Sequence, residues 1–104
     1  MIMTTTDEIP GQGIKETLGL VRANTVRARA IGNDILASLR GIVGGEVREY
    51  AELLARSRED VLLRMEQRAQ SLGANAVVGI RFSTSMISSG SAEILGYGTA
   101  VISE

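Results

Sequence analysis

The sequence contains neither cysteine nor histidine among its 104 residues. Without cysteine it can form no disulfide, no thiolate metal site and no redox thiol. Without an imidazole, it can form no catalytic triad or general base of the kind that relies on histidine. The commonest ligands of zinc and copper are also missing. The composition therefore excludes many hydrolytic mechanisms and the usual soft-metal sites.

The sequence is also poor in aromatic residues, in excess charge and in long apolar runs. It has three aromatic residues, so few side chains are available to stack on nucleic-acid bases. Its net charge is −1, so it has no strong positive potential to attract nucleic acid or an anionic membrane. We see no 18-residue apolar run and no basic, signal-like N-terminus. We expect one cytoplasmic domain over residues 1–104 that binds neither nucleic acid nor membrane.

Twelve glycines and only three aromatic residues leave few large side chains to bury. Single domains of about 100 residues are only marginally stable. We therefore expect some apolar surface to be buried between subunits.

Hydrophobic periodicity predicts strands and helices in one α+β chain. Alternation predicts a strand from about residue 14 to 26, with a bulge or bend near Gly19–Val21 because the apolar positions change face there. Helical spacing predicts a shorter helix at about 30–43 and a long helix at 46–72. Two further strands are predicted at 74–85 and 92–103.

The long helix has a predicted core face and an unusual length. Its apolar positions at helical spacing are Val47, Ala51, Leu54, Val61, Met65, Ala69 and Leu72. It would span roughly 40 Å, more than a globule with a radius of gyration of about 13 Å accommodates. The helix therefore either bends near Ser57–Arg58 or packs partly on another subunit.

The last strand is apolar on both faces, with Ile94 on one and Leu95 on the other. This pattern predicts a central strand or a strand at a subunit interface. Gly96 and Gly98 in the same strand allow either a close approach to its backbone or strong coiling.

Arg22, Arg27 and Arg29 form a basic cluster on the first long strand and its exit. Guanidinium groups recognise phosphate and carboxylate, so the cluster is a candidate ligand site. The competing interpretation is salt bridging at a subunit contact.

Asp7, Glu8 and Asp34 are candidate oxygen ligands for a hard cation. The competing interpretation makes Asp7 a turn residue and Asp34 a helix cap or first-turn acid. A phosphate loop at Gly44–Gly45 is disfavoured because Glu46 follows and no Lys-Ser/Thr pair is present. A turn between two helices explains those glycines better.

Four segments carry a resemblance to a known family: TTTDEIPG (4–11), IGNDILASLRGIVGGEVREYAELL (31–54), SLGANAVVGIRF (71–82) and AEILGYGTAV (92–101). Together they resemble the YbjQ family of small bacterial proteins of unknown function, often labelled as heavy-metal-binding. The resemblance implies a dodecin-like α+β fold, with an antiparallel sheet packed on a long helix, and a ring-like homo-oligomer, a pentamer. It implies no catalytic residue and no cofactor other than a metal ion.

Three hypotheses follow for function. The first is a non-enzymatic homo-oligomer that binds an ion or small ligand at subunit interfaces or in a central pore. The second is a heavy-metal-binding protein that uses oxygen ligands, one from each subunit, converging on the ring axis. The third is an enzyme with an interface site of carboxylates and arginines.

Overall fold

The computed structural model describes residues 1–28, 45–88 and 90–104. Its elements are β1 (Ile2–Met3), β2 (Ile14–Ala28), α1 (Gly45–Ser71), β3 (Ala76–Ser88) and β4 (Ser91–Ser103). The four strands form one sheet in the order β1-β3-β4-β2, and α1 packs on one face of it. The predicted α+β class is confirmed. The predicted helix at about 30–43 lies outside the described residues.

The sheet is mixed, which corrects the expected antiparallel arrangement. β1 pairs in parallel with β3, while β4 is antiparallel to both β3 and β2. The chain beyond β1 stays beside β3, since the Thr4 amide donates to Val77 O at 2.9 Å and Thr4 O accepts from the Ile80 amide at 3.1 Å. A strand of two residues has no periodicity from which its pairing could be read.

The predicted bulge in β2 is confirmed. The register with β4 shifts between Thr17 and Gly19, and Gly19 has a φ of 124°, which a glycine adopts without steric cost. Beyond this point Val21 and Ala23 are buried beneath the helix. Leu20 lies on the opposite face and is 63% exposed.

The helix α1 is held against the sheet by its C-terminal half. Ser57, Val61, Met65 and Ala69 are fully buried at a spacing of four residues, whereas no residue from 51 to 56 is buried. Three of the predicted core residues are therefore confirmed, and Leu54 packs half-buried at the core margin. Ala51 and Leu72, which belong to the same apolar face, are exposed in the single chain. The side chain of Val47 lies outside the described set.

Gly73 ends the helix, as the sequence predicts. Its φ is 86°, its amide donates to Gln70 O at 3.0 Å, and the Ala74 amide donates to Ala69 O at 3.0 Å. These two bonds define a Schellman motif, which satisfies carbonyls that the helix leaves unpaired.

The helix has 27 residues, so it is about 40 Å long. The chain has a radius of gyration of 17.2 Å and a longest dimension of 54 Å, against roughly 13 Å expected for the radius of gyration of a globule of this length. The molecule accommodates the long helix by being elongated.

A bulge at Gly79 divides the side chains of β3 between two clusters. The register with β4 shifts between Val78 and Arg81, and Gly79 has a φ of 64°. Val77 and Ile80 join the core under the helix, while Ala76 and Val78 pack with Ile9 and Val101 on the opposite face. Because the bulge adds one residue, the side chains of β3 do not alternate strictly between the two faces of the sheet.

β4 is the central strand, as predicted, with β3 on one side and β2 on the other. Gly96 lies directly under the helix, and a Cβ atom there would lie 2.6 Å from Val61 Cγ1 and 2.9 Å from Met65 Sδ. Of the two alternatives at this glycine, the structure shows the close approach.

The outer edge of β2 is covered in part by two arginines of α1. Arg64 Nη1 donates to Asn24 O at 3.0 Å, and Arg68 Nη1 donates to Arg22 O. These carbonyls face away from β4, so the helix side chains use acceptors that the sheet leaves unpaired.

Within residues 1–28, 45–88 and 90–104, the structure has no helix long and apolar enough to cross a membrane.

Candidate functional site

Arg27 lies near the C-terminal end of β2, on the face of the sheet that carries the helix. It is opposite Ala92 in the register with β4, and Ala92 is buried. Because side chains opposite each other in an antiparallel pair point to the same face, the arginine is directed toward α1.

Two helix residues hold the Arg27 guanidinium. Its Nε donates to Ser57 Oγ at 3.0 Å, and its Nη2 donates to Asp60 Oδ2 at 2.5 Å. Ser57 Oγ donates in turn to Leu53 O at 3.0 Å. Ser57 is fully buried and lies on the apolar face of the helix, where only a hydrogen-bonded hydroxyl is tolerated at low cost. This set of contacts fixes the end of β2 to the helix.

A cavity of about 610 Å³ lies beside this contact. We call it the arginine cavity. It is lined by Arg27 from β2 and, from α1, by Leu53, Ala55, Arg56, Arg58, Glu59 and Asp60. Its volume falls within the roughly 300–1,000 Å³ of small-molecule sites.

Arg22 lies on the opposite face of the sheet from Arg27. It is opposite Tyr97 in the register. Arg27 is five positions further along a regular part of the strand, and an odd offset places the two side chains on opposite faces. The structure thus places these two predicted ligand residues apart. Arg22 lines a second cavity of about 460 Å³ with Asn24, Arg68 and Glu93 among its neighbours. Arg29, the third residue of the predicted cluster, lies outside the described residues.

Asp7 and Glu8 lie exposed in the loop between β1 and β2. The main-chain carbonyl of Glu8 accepts a hydrogen bond from Thr6 Oγ1 at 2.6 Å, and Asp7 Oδ1 lies 3.5 Å from the place where Gly79 would carry a Cβ atom. Asp34 lies outside the described residues. Their role as metal ligands stays a prediction.

The described side chains of one chain do not provide the ligands that a heavy-metal site needs. No group of three or more His, Cys, Asp or Glu side chains in that part could hold a metal ion. The whole sequence has no thiolate or imidazole, and these are the donors that soft metals prefer.

Ser57, Asp60 and Arg56 were not among the predicted site residues. A serine on an apolar helix stripe is a detectable signal, since it breaks the stripe at Leu54, Val61 and Met65. Its partner Arg27 is 30 residues away in the sequence, and nothing in the spacing predicts that the two meet.

The described residues thus form a small α+β protein in which a cavity lies along the helix beside Arg27 of β2. Comparison with known families identifies the family to which the chain belongs. The chain belongs to the YbjQ family, whose model matches residues 1–104 and carries the description "Putative heavy-metal-binding". That description names no cofactor other than a metal.

Relatives in bacteria and archaea share about half of the sequence. A UPF0145 protein of Dehalococcoides mccartyi is 52% identical over 104 residues and covers 100% of both chains. One from Methanococcus vannielii is 55% identical over 101 residues, covering 97% of this chain and 96% of its own. The archaeal relatives extend the family beyond the bacteria that the resemblance suggested.

The same fold occurs in a crystal structure from Pediococcus pentosaceus, described as a protein of unknown function of the DUF74 family. The TM-score is 0.71 at 17% sequence identity, and the match covers 100% of this chain and 98% of the other. At this identity the likeness concerns the fold alone.

Proposed function

We propose that the protein is a non-enzymatic, cytoplasmic homo-oligomer that binds an ion or small ligand. We propose that the subunits assemble as a ring. The family resemblance favours five subunits. The observation that carries the proposal is an apolar surface on the face of the sheet opposite α1. We call this the outer sheet surface and define it by Leu20, Val26, Leu95 and Tyr97, with Arg22 and Glu93 among them.

Register places these side chains together. Leu20, Arg22, Asn24 and Val26 alternate with the buried residues of β2, and they lie opposite Thr99, Tyr97, Leu95 and Glu93 of β4. Leu20 is 63% exposed, Val26 55% and Tyr97 39%. Several large apolar side chains exposed side by side are typical of an interaction surface.

A second copy of the chain is the occupant that suits this surface. The surface carries the cation of Arg22 beside the carboxylate of Glu93, so two copies can present opposite charges to each other. A subunit with a small core also gains stability from burying apolar area in a partner.

The arginine cavity supports the ligand-binding part of the proposal. It supports binding over catalysis, because the arginine and carboxylate closest to each other, Arg27 and Asp60, already pair at 2.5 Å. A neutralised pair is a poor general base.

Metal binding through oxygen ligands is a second candidate function, supported by the family description. Since one chain lacks a suitable donor group among its described residues, the ligands would have to converge from several subunits. Asp7, Glu8 and Asp34 are the candidates for such a shared site.

Native mass spectrometry of protein purified without a metal-affinity tag tests both the proposed assembly and the binding of metal ions. We compare the natural chain with Leu20→Asp, which places a charge in the outer sheet surface. The matched control is Leu63→Asp, since Leu63 is 55% exposed on the helix and outside that surface.

We expect the natural chain and the control to form one closed oligomer and Leu20→Asp to dissociate. A natural chain that stays monomeric at micromolar concentration would overturn the proposed assembly. Addition of Zn²⁺ separates the ligand hypotheses: a fixed number of retained ions, lost in Asp7→Asn or Asp34→Asn, would support the metal function. Graded, non-specific uptake would count against it.

A further inference from the structure

We propose that the arginine cavity binds a small organic anion, one that joins carboxylate or phosphate charge to a short apolar stem. This inference rests on the ligand-binding part of the proposed function and names the class of ligand.

The charges that line the cavity favour an anion. Among the residues that the structure describes, three arginines and two carboxylates line it, and this part of the lining carries a net charge of +1. Asp60 is already compensated by Arg27. Across the part of the chain that the structure describes, Arg56 and Arg58 make neither a hydrogen bond nor an ion pair, so only Glu59 opposes them within the cavity. A positive, partly enclosed site attracts anions more strongly than open surface does.

The Arg27 guanidinium can serve an anion without losing its contacts to the helix. A guanidinium has five N–H donors, and the bonds to Ser57 and Asp60 use two of them. The hydrogen bonds that Arg27 makes to the described residues leave three donors for a ligand, and the two bonds hold the group in one orientation. A fixed guanidinium loses less side-chain entropy on binding than a free one.

The wall of the cavity also has an apolar part. Leu53 is half-buried and Ala55 is exposed, and both line the cavity beside the arginines. An inorganic ion would leave this wall in contact with water, whereas a short alkyl stem would cover it. The combination favours an organic anion.

The second cavity, around Arg22, is less suited to the same ligand. One Arg68 donor is used by Arg22 O, and Glu93 presents its carboxylate to Asn24 Nδ2 at 3.1 Å within the cavity lining. Its volume of about 460 Å³ is smaller than the 610 Å³ of the first. We therefore assign the ligand to the arginine cavity.

Isothermal titration calorimetry at low ionic strength tests this assignment. The probes are adipate, a dicarboxylate with four methylene groups, and inorganic phosphate. The variant is Arg56→Gln, which removes one charge from an exposed side chain of the helix. Lys15→Gln is the matched control, because it removes the same charge from an exposed side chain at the other end of β2, outside both cavities and the outer sheet surface.

We expect adipate to bind once per subunit and more tightly than phosphate. Arg56→Gln should weaken adipate binding at least tenfold, and Lys15→Gln should change it less than twofold. An absence of adipate binding to the natural chain would overturn the inference, as would a loss in Lys15→Gln that equals the loss in Arg56→Gln.

Native mass spectra of the same samples keep this outcome separate from the proposed assembly. An intact ring that does not bind adipate refutes the anion site alone. A monomer that binds adipate refutes the assembly alone.

Discussion

At the residue scale, Thr25 shows how a single polar atom can limit stability. The residue is 6% exposed on the helix side of β2. Its Oγ1 is buried, and among the described residues this oxygen has no hydrogen-bond partner. Burying such a hydroxyl costs about 1–3 kcal/mol. The core therefore carries a cost that a different side chain of the same shape would remove.

We predict that Thr25→Val raises the free energy of unfolding by about 1 kcal/mol, because valine keeps the shape and the β-branch without the unpaired hydroxyl. Urea denaturation at one fixed protein concentration measures the change. Thr17→Val is the control, since Thr17 is exposed on the same strand and its hydroxyl reaches water. A gain of equal size in the control would attribute the effect to strand propensity instead.

Gly96 sets the distance between α1 and the sheet. We predict that Gly96→Ala lowers the free energy of unfolding by about 1–3 kcal/mol, the usual cost of overpacking, since its Cβ would lie 2.6 Å from Val61 Cγ1. This cost exceeds the roughly 0.5–1 kcal/mol that alanine gains over glycine in backbone entropy.

A double-mutant cycle with Val61→Ala checks the cause at Gly96. Removing the Val61 methyl groups makes room for the new Cβ, so Gly96→Ala should cost less in that background. Strictly additive losses would show that the helix contact is not responsible.

Residue patterns predicted some of these features and not others. The glycines of β4 predicted close packing or strong coiling, and the contacts at Gly96 show close packing. The Arg27–Ser57–Asp60 contact was not predictable, because it depends on how β2 and α1 are placed in three dimensions.

At the scale of elements, strong periodicity was a reliable guide. The predicted helix at 46–72 and the observed helix at Gly45–Ser71 differ by one residue at each end. The parallel pairing of the two-residue β1 and the bulge at Gly79 were missed, because short pairings and single inserted residues leave no repeating pattern. Through these two features the sheet gains a parallel strand and a second small core.

The Schellman motif gives a prediction for the end of the helix. Gly73→Ala should lower the free energy of unfolding by about 1 kcal/mol, because its φ of 86° is disfavoured for a residue with a Cβ. Chemical denaturation measures the loss.

Gly13→Ala is the matched control for the helix end. Gly13 lacks a positive φ, and a Cβ atom added there would have no other atom within 4 Å. We expect no loss there, since alanine only restricts the unfolded chain. A loss at Gly13 as large as at Gly73 would show that backbone conformation is not the cause.

At the scale of the whole molecule, elongation follows from the mismatch between helix and sheet. The core lies under residues 57–69 of α1, while the helix begins at Gly45. A chain with a radius of gyration of 17.2 Å has more surface per residue than a globule does. The sequence predicted the length of the helix but could not show whether a bend, a neighbour or an elongated subunit accommodates it.

We predict that the melting temperature rises with protein concentration, because subunit association adds stability by mass action. Differential scanning calorimetry over a hundredfold range of concentration measures the shift. Leu20→Asp, which should prevent association, should melt at one temperature throughout. A natural chain with a concentration-independent melting temperature would weigh against assembly in this range.

The two arginines on the edge of β2 connect the stability of the helix to the solubility of the sheet. Arg64 and Arg68 donate hydrogen bonds to backbone carbonyls of a 15-residue strand. A long edge strand without such cover can act as a template for fibril growth. When α1 detaches, the chain loses a helix and at the same moment exposes this template. We therefore expect local opening of the helix to promote aggregation, so that the α1–β2 contact protects the solubility of the chain as well as its fold.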